Sequence, residues 1–187
     1  MKYGLKILLY SNYLNIFGYS LFGPLYSIFV LEVGGSAFHA GASWGLYMLI
    51  AGLLMFYFSK IADQSKTSRK NMIIAAYFIL AFGALAFTLI KNPIHIYLVQ
   101  IINAIGVGLL DPAWKAMYAG MEDKGEEAQE WAWFDGGDKI IIAIAAFLGG
   151  IFVTYFSFKY LFVFVFLIQL IAALISIKIL RNNRIQG

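Results

Sequence analysis

The feature that most constrains this chain is a series of six long stretches without a charged side chain. They cover residues 7–31, 33–59, 71–90, 92–110, 140–158 and 160–177. A transmembrane helix needs about 20 consecutive, mostly apolar residues to cross the hydrocarbon core. Only 13% of the residues are charged, whereas a soluble domain carries about 25%. The chain is therefore predicted to be an all-α integral membrane protein.

This pattern predicts six transmembrane helices, near residues 5–31, 42–59, 71–90, 94–119, 139–157 and 160–180, within one domain of residues 1–187. The longest connector extends from Gly120 to Asp138 and mixes seven carboxylates with apolar side chains. We interpret this connector as an amphipathic segment at the membrane surface. The alternative is a metal or partner site.

The distribution of basic residues predicts the orientation in the membrane. With six spans both termini lie on one side, and basic residues favour cytoplasmic loops. Placing the termini inside leaves only Lys91 and Lys159 outside. The other 12 basic residues are then cytoplasmic: Lys2, Lys6, Lys60, Lys66, Arg69, Lys70, Lys115, Lys124, Lys139, Lys178, Arg181 and Arg184. We expect a multi-pass protein of the plasma (inner) membrane with both termini in the cytoplasm.

Several functional classes are disfavoured by the composition and by missing motifs. The chain has no cysteine, and it lacks the P-loop, the Gly-x-Ser-x-Gly elbow, the His-Glu-x-x-His motif and the dinucleotide fingerprint. His39 and His95 are isolated, so neither indicates a metal site. Basic residues at the ends of spans account for the net charge of +4 without a nucleic-acid partner. We therefore predict no enzyme, no cofactor and no metal.

Polar side chains recur at helical spacing in two of the predicted spans. In the first span they are Asn12, Asn15, Tyr19 and Tyr26, and in the fourth they are Gln100, Asn103, Asp111 and Trp114. Each set falls on one helical stripe. Asn15 and Asn103 lie about 14 Å from the start of their spans, close to the membrane midplane. Such residues usually face a cavity, although they can also bond neighbouring helices.

Asp111 is predicted to lie closer to the cytoplasm, one helical turn before Lys115. The two side chains can form an ion pair at this spacing. Alternatively, Asp111 binds a coupling proton or cation, because a partly desolvated carboxylate titrates closer to neutrality.

Four stretches of the chain resemble the N-terminal half of major facilitator superfamily transporters. Residues 62–70, with Asp63, Arg69 and Lys70, resemble the family loop Gly-x-Leu-Ala-Asp-Arg-x-Gly-Arg-Arg, although the spacing is two residues longer. Residues 100–113 match the pattern Arg-x-x-Gln-Gly-x-Gly-x-x-x-x-x-Pro-Ala, with Gln100 in the place of the arginine. Residues 148–150 resemble the end of Gly-Pro-x-x-Gly-Gly, and residues 156–162 resemble the turn between spans five and six.

The resemblance implies half of a major-facilitator-type fold, because members normally have two six-helix halves of the same orientation. Two copies related by a twofold axis would rebuild a complete transporter. The implied homodimer contact pairs the second span of one copy with the fifth span of the other, where small residues allow close approach. The candidates are Gly41, Gly45, Gly52, Ala146, Gly149 and Gly150.

The predicted function is a secondary active transporter that works by alternating access, with the polar stripes of the first and fourth spans lining its cavity. The Asn and Tyr content favours a small polar solute, coupled to a proton or cation. The binding residues would be Asn12, Asn15, Tyr19, Gln100, Asn103 and Trp114. Three alternatives remain open: a non-transporting scaffold or helper, a channel-like homo-oligomer, and a fragment of a twelve-helix transporter.

Overall fold

A computed structural model describes residues 3–181, with side chains over 4–177, and all of the regular structure in this range is helical. The α-helices are α1 (Tyr3–Phe22), α2 (Tyr26–Glu32), α3 (Ala37–Ala62), α4 (Lys66–Ala86), α5 (Pro93–Ala119), α6 (Glu127–Tyr155) and α7 (Phe158–Arg181). Short 3₁₀ turns cover Gly23–Leu25 and Phe87–Leu89. Six helical segments are long and apolar enough to span a membrane. The prediction of six spans is confirmed.

The first span is broken in the middle. Pro24 has no backbone N–H and cannot continue the hydrogen-bond ladder of α1. The chain makes a 3₁₀ turn over Gly23–Leu25 and then resumes as α2. The first span therefore consists of two helices, where the sequence predicted one.

Short connectors end and restart the helices by side-chain capping. Ser65 accepts a hydrogen bond from the backbone of Ser68 at the start of α4. Asn92 accepts hydrogen bonds from two backbone N–H groups at the start of α5, where Pro93 occupies the first helical position. These caps satisfy N–H groups that a helix leaves without partners.

The start of α6 differs from the prediction. Residues 127–138 were assigned to a surface connector, but α6 already begins at Glu127. Acidic residues in the first turn suit the positive end of the helix dipole. Glu130 is buried, accepts a hydrogen bond from the backbone of Asp123, and has its own carbonyl bonded by the Tyr118 hydroxyl. The first turns of α6 therefore pack on α5, where the sequence predicted a segment at the membrane surface.

The helices pack in the order α3, α5, α4, α7, α1, α6, with α3 and α6 at the two edges. In the other four spans 39–50% of the apolar window is buried, whereas the value is 17% for α3 and 11% for α6. An aromatic cluster lies at the end of the bundle where α1, α2, α7 and the 3₁₀ turn after α4 meet. It consists of Phe22, Phe29, Phe87, Phe158 and Phe162. The two edge helices consequently present most of their apolar surface outward.

Candidate functional site

A cavity of about 250 Å³ lies among α1, α3, α4, α5, α6 and α7. Its polar lining comes from several helices, and it also has an apolar part formed by residues such as Ile16, Leu80 and Val107. The polar and aromatic lining residues are Asn12, Asn15, Tyr19, Tyr47, Asp111, Trp114, Lys115, Phe134, Asp138 and Gln169. The structure thus brings five of the predicted site residues to one cavity: Asn12, Asn15, Tyr19, Asp111 and Trp114.

Three residues in the cavity wall carry a buried polar atom that has no hydrogen-bond partner within the described part of the chain. These atoms are Asn15 Oδ1, Trp114 Nε1 and Gln169 Oε1, and each residue is more than nine-tenths buried. Leaving a buried donor or acceptor unsatisfied costs about 1–3 kcal/mol. A polar molecule or water in the cavity that pairs with them would recover part of this cost.

Asp138 is a cavity residue that the sequence analysis assigned to a connector. Asn12 Nδ2 donates a hydrogen bond of 2.9 Å to Asp138 Oδ1, which joins α1 to α6. The carboxylate is half-buried and lines the same cavity as Asp111. The sequence did hold one indication of this role: Asp138 lies only two residues before the charge-free stretch of the fifth span, so it is close to the membrane-spanning part of α6.

Asp111 pairs with Lys115, as the i, i+4 spacing predicted. Lys115 Nζ lies 3.1 Å from Asp111 Oδ2, and both side chains are partly exposed at the cavity. Asp138 instead has a neutral hydrogen-bond donor as its partner. The cavity therefore holds one carboxylate in direct contact with an ammonium group and one whose hydrogen-bond partner among the described residues is an amide, with the charge of Lys139 nearby.

Gln100 and Asn103 line a separate, smaller void of about 30 Å³, which also contacts Phe22 and Phe87 of the aromatic cluster. Asn103 Nδ2 donates to the carbonyl of Val99 on its own helix. Its amide lies against Gly83 of α4, where a Cβ atom would come within 2.5 Å of Asn103 Oδ1. Asn103 thus has a helix-packing contact in addition to its place at the void.

Tyr19 and Gln169 line both the cavity and the void. Gln169 lies on α7, and it is the one amide side chain in the sixth predicted span. The sequence analysis did not select it, because a single polar residue forms no stripe. These two side chains form the partition between the larger space and the smaller one.

Comparison with known proteins identifies the family of this fold. A sequence model described as Major Facilitator Superfamily matches residues 8–186. The chain belongs to the major facilitator superfamily. It is 28% identical over 185 residues to the Multidrug resistance protein MdtH of Baumannia cicadellinicola subsp. Homalodisca coagulata, covering 98% of this chain and 44% of that relative. The chain thus spans less than half of the length of this relative.

Two further similarities differ in how much of the other protein they cover. The Uncharacterized MFS-type transporter YitZ of Bacillus subtilis is 23% identical over 162 residues, which covers 87% of this chain and 98% of YitZ. The structure of the POT family transporter PepTSo superposes with a TM-score of 0.68 at 14% identity, covering 95% of this chain and 37% of that one. The predicted membrane-transporter family and fold are confirmed.

The superfamily-like loop between α3 and α4 is held by Arg69. Its Nε donates to the Ala62 carbonyl at 2.8 Å, and its Nη1 donates to the Ala116 carbonyl near the end of α5 at 3.3 Å. Asp63 lies 3.7 Å from Arg69 Nη2 and is largely exposed, and Lys70 is half-buried. A cation at a helix C-terminus is favoured by the helix dipole, so Arg69 ties this loop to α5.

The predicted dimer-interface residues occupy two different environments. On α3, a Cβ atom added at Gly41, Gly45 or Gly52 would meet nothing within 4 Å. On α6, Ala146 is half-buried and Gly150 is equally open. Gly149 differs, because a Cβ atom there would lie 2.0 Å from the Leu21 carbonyl oxygen of the same chain. The small size of Gly149 thus already serves the contact between α1 and α6 within one chain, and its place in a dimer interface stays a prediction.

Three carboxylates approach one another in the connector before α6. Oxygen atoms of Asp123, Glu126 and Glu130 all lie within 4.8 Å of one another. Each of these residues has further interaction partners. We interpret these contacts as part of the packing of the connector against the start of α6, and we assign no metal role to the cluster.

Proposed function

We propose that this chain is one half of a secondary active transporter for a small polar solute and that a second copy completes it. The observation that carries the proposal is the cavity with three unpartnered polar atoms, on Asn15, Trp114 and Gln169. Polar groups within a membrane protein are costly and commonly mark a solute pathway. Membership of a transporter superfamily supports the same conclusion.

The outward faces of α3 and α6 support completion by a second copy. Both edge helices bury far less of their apolar window than the other spans. The open glycines of α3 would permit close approach of a partner helix. Parallel six-helix halves of these transporters are related by an axis along the membrane normal, and a twofold dimer has the same geometry. The alignment covers 98% of YitZ, so a protein named as an MFS-type transporter also consists of about one six-helix half.

The arrangement of acceptors and donors indicates which solutes would suit the cavity. Among the described residues, Asn15 Oδ1 and Gln169 Oε1 are free acceptors, and Asp138 adds a carboxylate whose hydrogen-bond partner is the Asn12 amide. Trp114 Nε1 is the free donor among these wall atoms. A solute with N–H or O–H groups could hydrogen-bond to more of these wall atoms than a solute that has hydrogen-bond acceptors alone. The relative named as a multidrug resistance protein makes an apolar drug the competing class.

The two carboxylates are the proposed coupling site. Asp111 was predicted from sequence, and Asp138 lines the same cavity. Protonation would remove the charge of Asp138 and weaken the charge assistance of its bond from Asn12. A proton could therefore alter the contact between α1 and α6 and the affinity for solute together. Rocking of the two protomers around the cavity would then provide alternating access.

A solute screen followed by a transport assay tests the function. The purified chain would be heated in the presence of small amines, amino acids, sugars or lipophilic drug cations, one class at a time. A ligand present at 100 times its Kd raises the free energy of unfolding by about 2.7 kcal/mol. We expect stabilisation by polar solutes bearing N–H or O–H groups. Stabilisation by drug cations alone would contradict the proposed solute class.

Variants of the cavity wall link the stabilisation to the site. Asn15→Leu and Gln169→Leu remove the free acceptors and should abolish solute stabilisation. Ser11→Ala is the matched control, because Ser11 is buried on the same helix, donates to the Leu8 carbonyl of its own turn and does not line the cavity. In proteoliposomes, uptake of the best solute should saturate with concentration. Unsaturable conduction would favour a channel, and no uptake by a stabilised protein would favour a helper.

The mass of the detergent-purified particle tests assembly. A homodimer has twice the 20.9 kDa of one chain. A monomer that transports would contradict the requirement for a second copy while leaving the solute site intact.

A further inference from the structure

A second groove, of about 440 Å³, lies between α1 and α6 and shares no lining residue with the solute cavity. On α6 the cavity is lined by Phe134 and Asp138, whereas the groove is lined by Trp133 and Gly137. Neighbouring residues on a helix point in directions that differ by about 100°. The groove is therefore a separate feature of the α1–α6 pair.

Two of the lining residues of the groove, on α1 and α6, are in close contact. Tyr13 lies over Gly137, where an added Cβ atom would come within 2.0 Å of the Tyr13 hydroxyl oxygen. The Tyr13 hydroxyl also donates a hydrogen bond to the carbonyl of Trp133. The absence of a side chain at Gly137 lets the tyrosine ring pack between the two helices.

The lining of the groove is amphipathic along its length. Leu9, Ile140 and Ile141 provide apolar surface, and Ile140 is 63% exposed. Lys6 is exposed at one end and makes no ion pair within the described part of the chain. From Lys6 to Tyr13 the helix rises by about 10 Å. In the predicted orientation, the ammonium group lies at the cytoplasmic surface and the apolar part extends into the inner leaflet.

We propose that this groove binds one anionic phospholipid of the cytoplasmic leaflet, with its phosphate on Lys6 and an acyl chain along Ile140. The cytoplasmic leaflet is rich in anionic lipids, and basic pockets between transmembrane helices on that side bind their headgroups. The exposed rings of Tyr10 and Trp133 suit the membrane–water interface, because each combines an apolar ring with a polar group. The proposal does not depend on the proposed transport function.

Lipid binding to the purified full-length chain tests the charge contact. Native mass spectrometry would be recorded in detergent with phosphatidylglycerol or phosphatidylcholine of identical acyl chains. We expect tighter binding of phosphatidylglycerol, and Lys6→Gln should weaken it about fivefold while leaving phosphatidylcholine unchanged. Lys60→Gln is the matched control, because Lys60 is exposed on the same predicted side but does not line the groove. Equal phosphatidylglycerol affinities for the two variants would overturn the proposal.

A second pair of variants tests the apolar part of the groove. Ile140→Trp should fill it and remove the bound phosphatidylglycerol. Ile144→Trp, at an exposed site one turn further along α6 and outside the groove, should retain the lipid. Unchanged thermal midpoints would establish that both variants are folded. Lipid retention by Ile140→Trp, displacement by soluble glycerol phosphate, or conversion of a dimer to a monomer without lipid loss would refute the assignment.

Discussion

Gly149 offers a direct test of how α1 and α6 pack. Replacing it with alanine adds a Cβ atom 2.0 Å from the Leu21 carbonyl oxygen, whereas ordinary contacts begin at 3.4 Å. Restoring an ordinary contact requires the helices to separate locally by about 1.4 Å. The obstructing atom belongs to backbone, so side-chain rotation cannot relieve the clash.

The expected magnitude follows from two opposing effects. Overpacking a well-packed contact costs about 1–3 kcal/mol, and a backbone clash belongs at the upper end. Alanine instead of glycine in a helix gains about 1 kcal/mol. The net loss in the free energy of unfolding for Gly149→Ala is then about 2 kcal/mol. In a chain of this length, this corresponds to a thermal midpoint about 4–8 °C lower.

Gly136→Ala is the matched control on the same helix. A Cβ atom at Gly136 meets nothing within 4 Å, so only the gain in helix propensity remains. Its thermal midpoint should rise by about 2–4 °C. Both variants would be compared in the same detergent by thermal unfolding and by particle mass. Equal or higher stability of Gly149→Ala would refute the tight contact, and loss of a dimer at unchanged stability would place Gly149 between chains.

Four further predictions concern assembly, solute binding, topology and coupling. Gly45→Leu should shift the particle mass toward monomer, and cysteines at Gly45 and Gly150 should cross-link between chains; cross-links within one chain would disprove this interface. Asn15→Ala should abolish solute uptake at unchanged mass and thermal midpoint, whereas loss of the folded particle would favour a purely packing role. A cysteine at Ser68 should react only with reagents supplied from the cytoplasmic side, so labelling from outside would reverse the topology. Asp138→Asn should make uptake insensitive to pH, and a retained pH profile would exclude Asp138 from coupling.

The number of spans could be predicted because charge-free length depends only on local sequence. The start of α6 could not, because Glu130 is buried through contacts with Asp123 and Tyr118 that form only after folding. A buried carboxylate near a predicted span resembles a surface residue when only composition is considered. The same reason explains why Asp138 was assigned to a connector.

The candidate site was predictable where polar residues repeat along one helix. The stripe of the first span identified Asn12, Asn15 and Tyr19, all of which line the cavity. Periodicity does not reveal which neighbouring helix a side chain meets. The contact of Asn103 with Gly83 and the contribution of Gln169 from α7 depend on how the helices pack. Helix-to-helix placement is therefore the information that the sequence patterns lacked.

The 3₁₀ turn at Pro24 divides the first span into two helical segments that meet at a potential hinge. The first segment, α1, bears Asn12 and Asn15 of the cavity, whereas the second, α2, contributes Phe29 to the aromatic cluster. Pro24 has no backbone N–H, so it cannot donate the hydrogen bond that would join α1 and α2 into one continuous helix. We therefore expect α1 to tilt with α6 while α2 stays packed in the aromatic cluster, so that the two ends of the bundle need not open together.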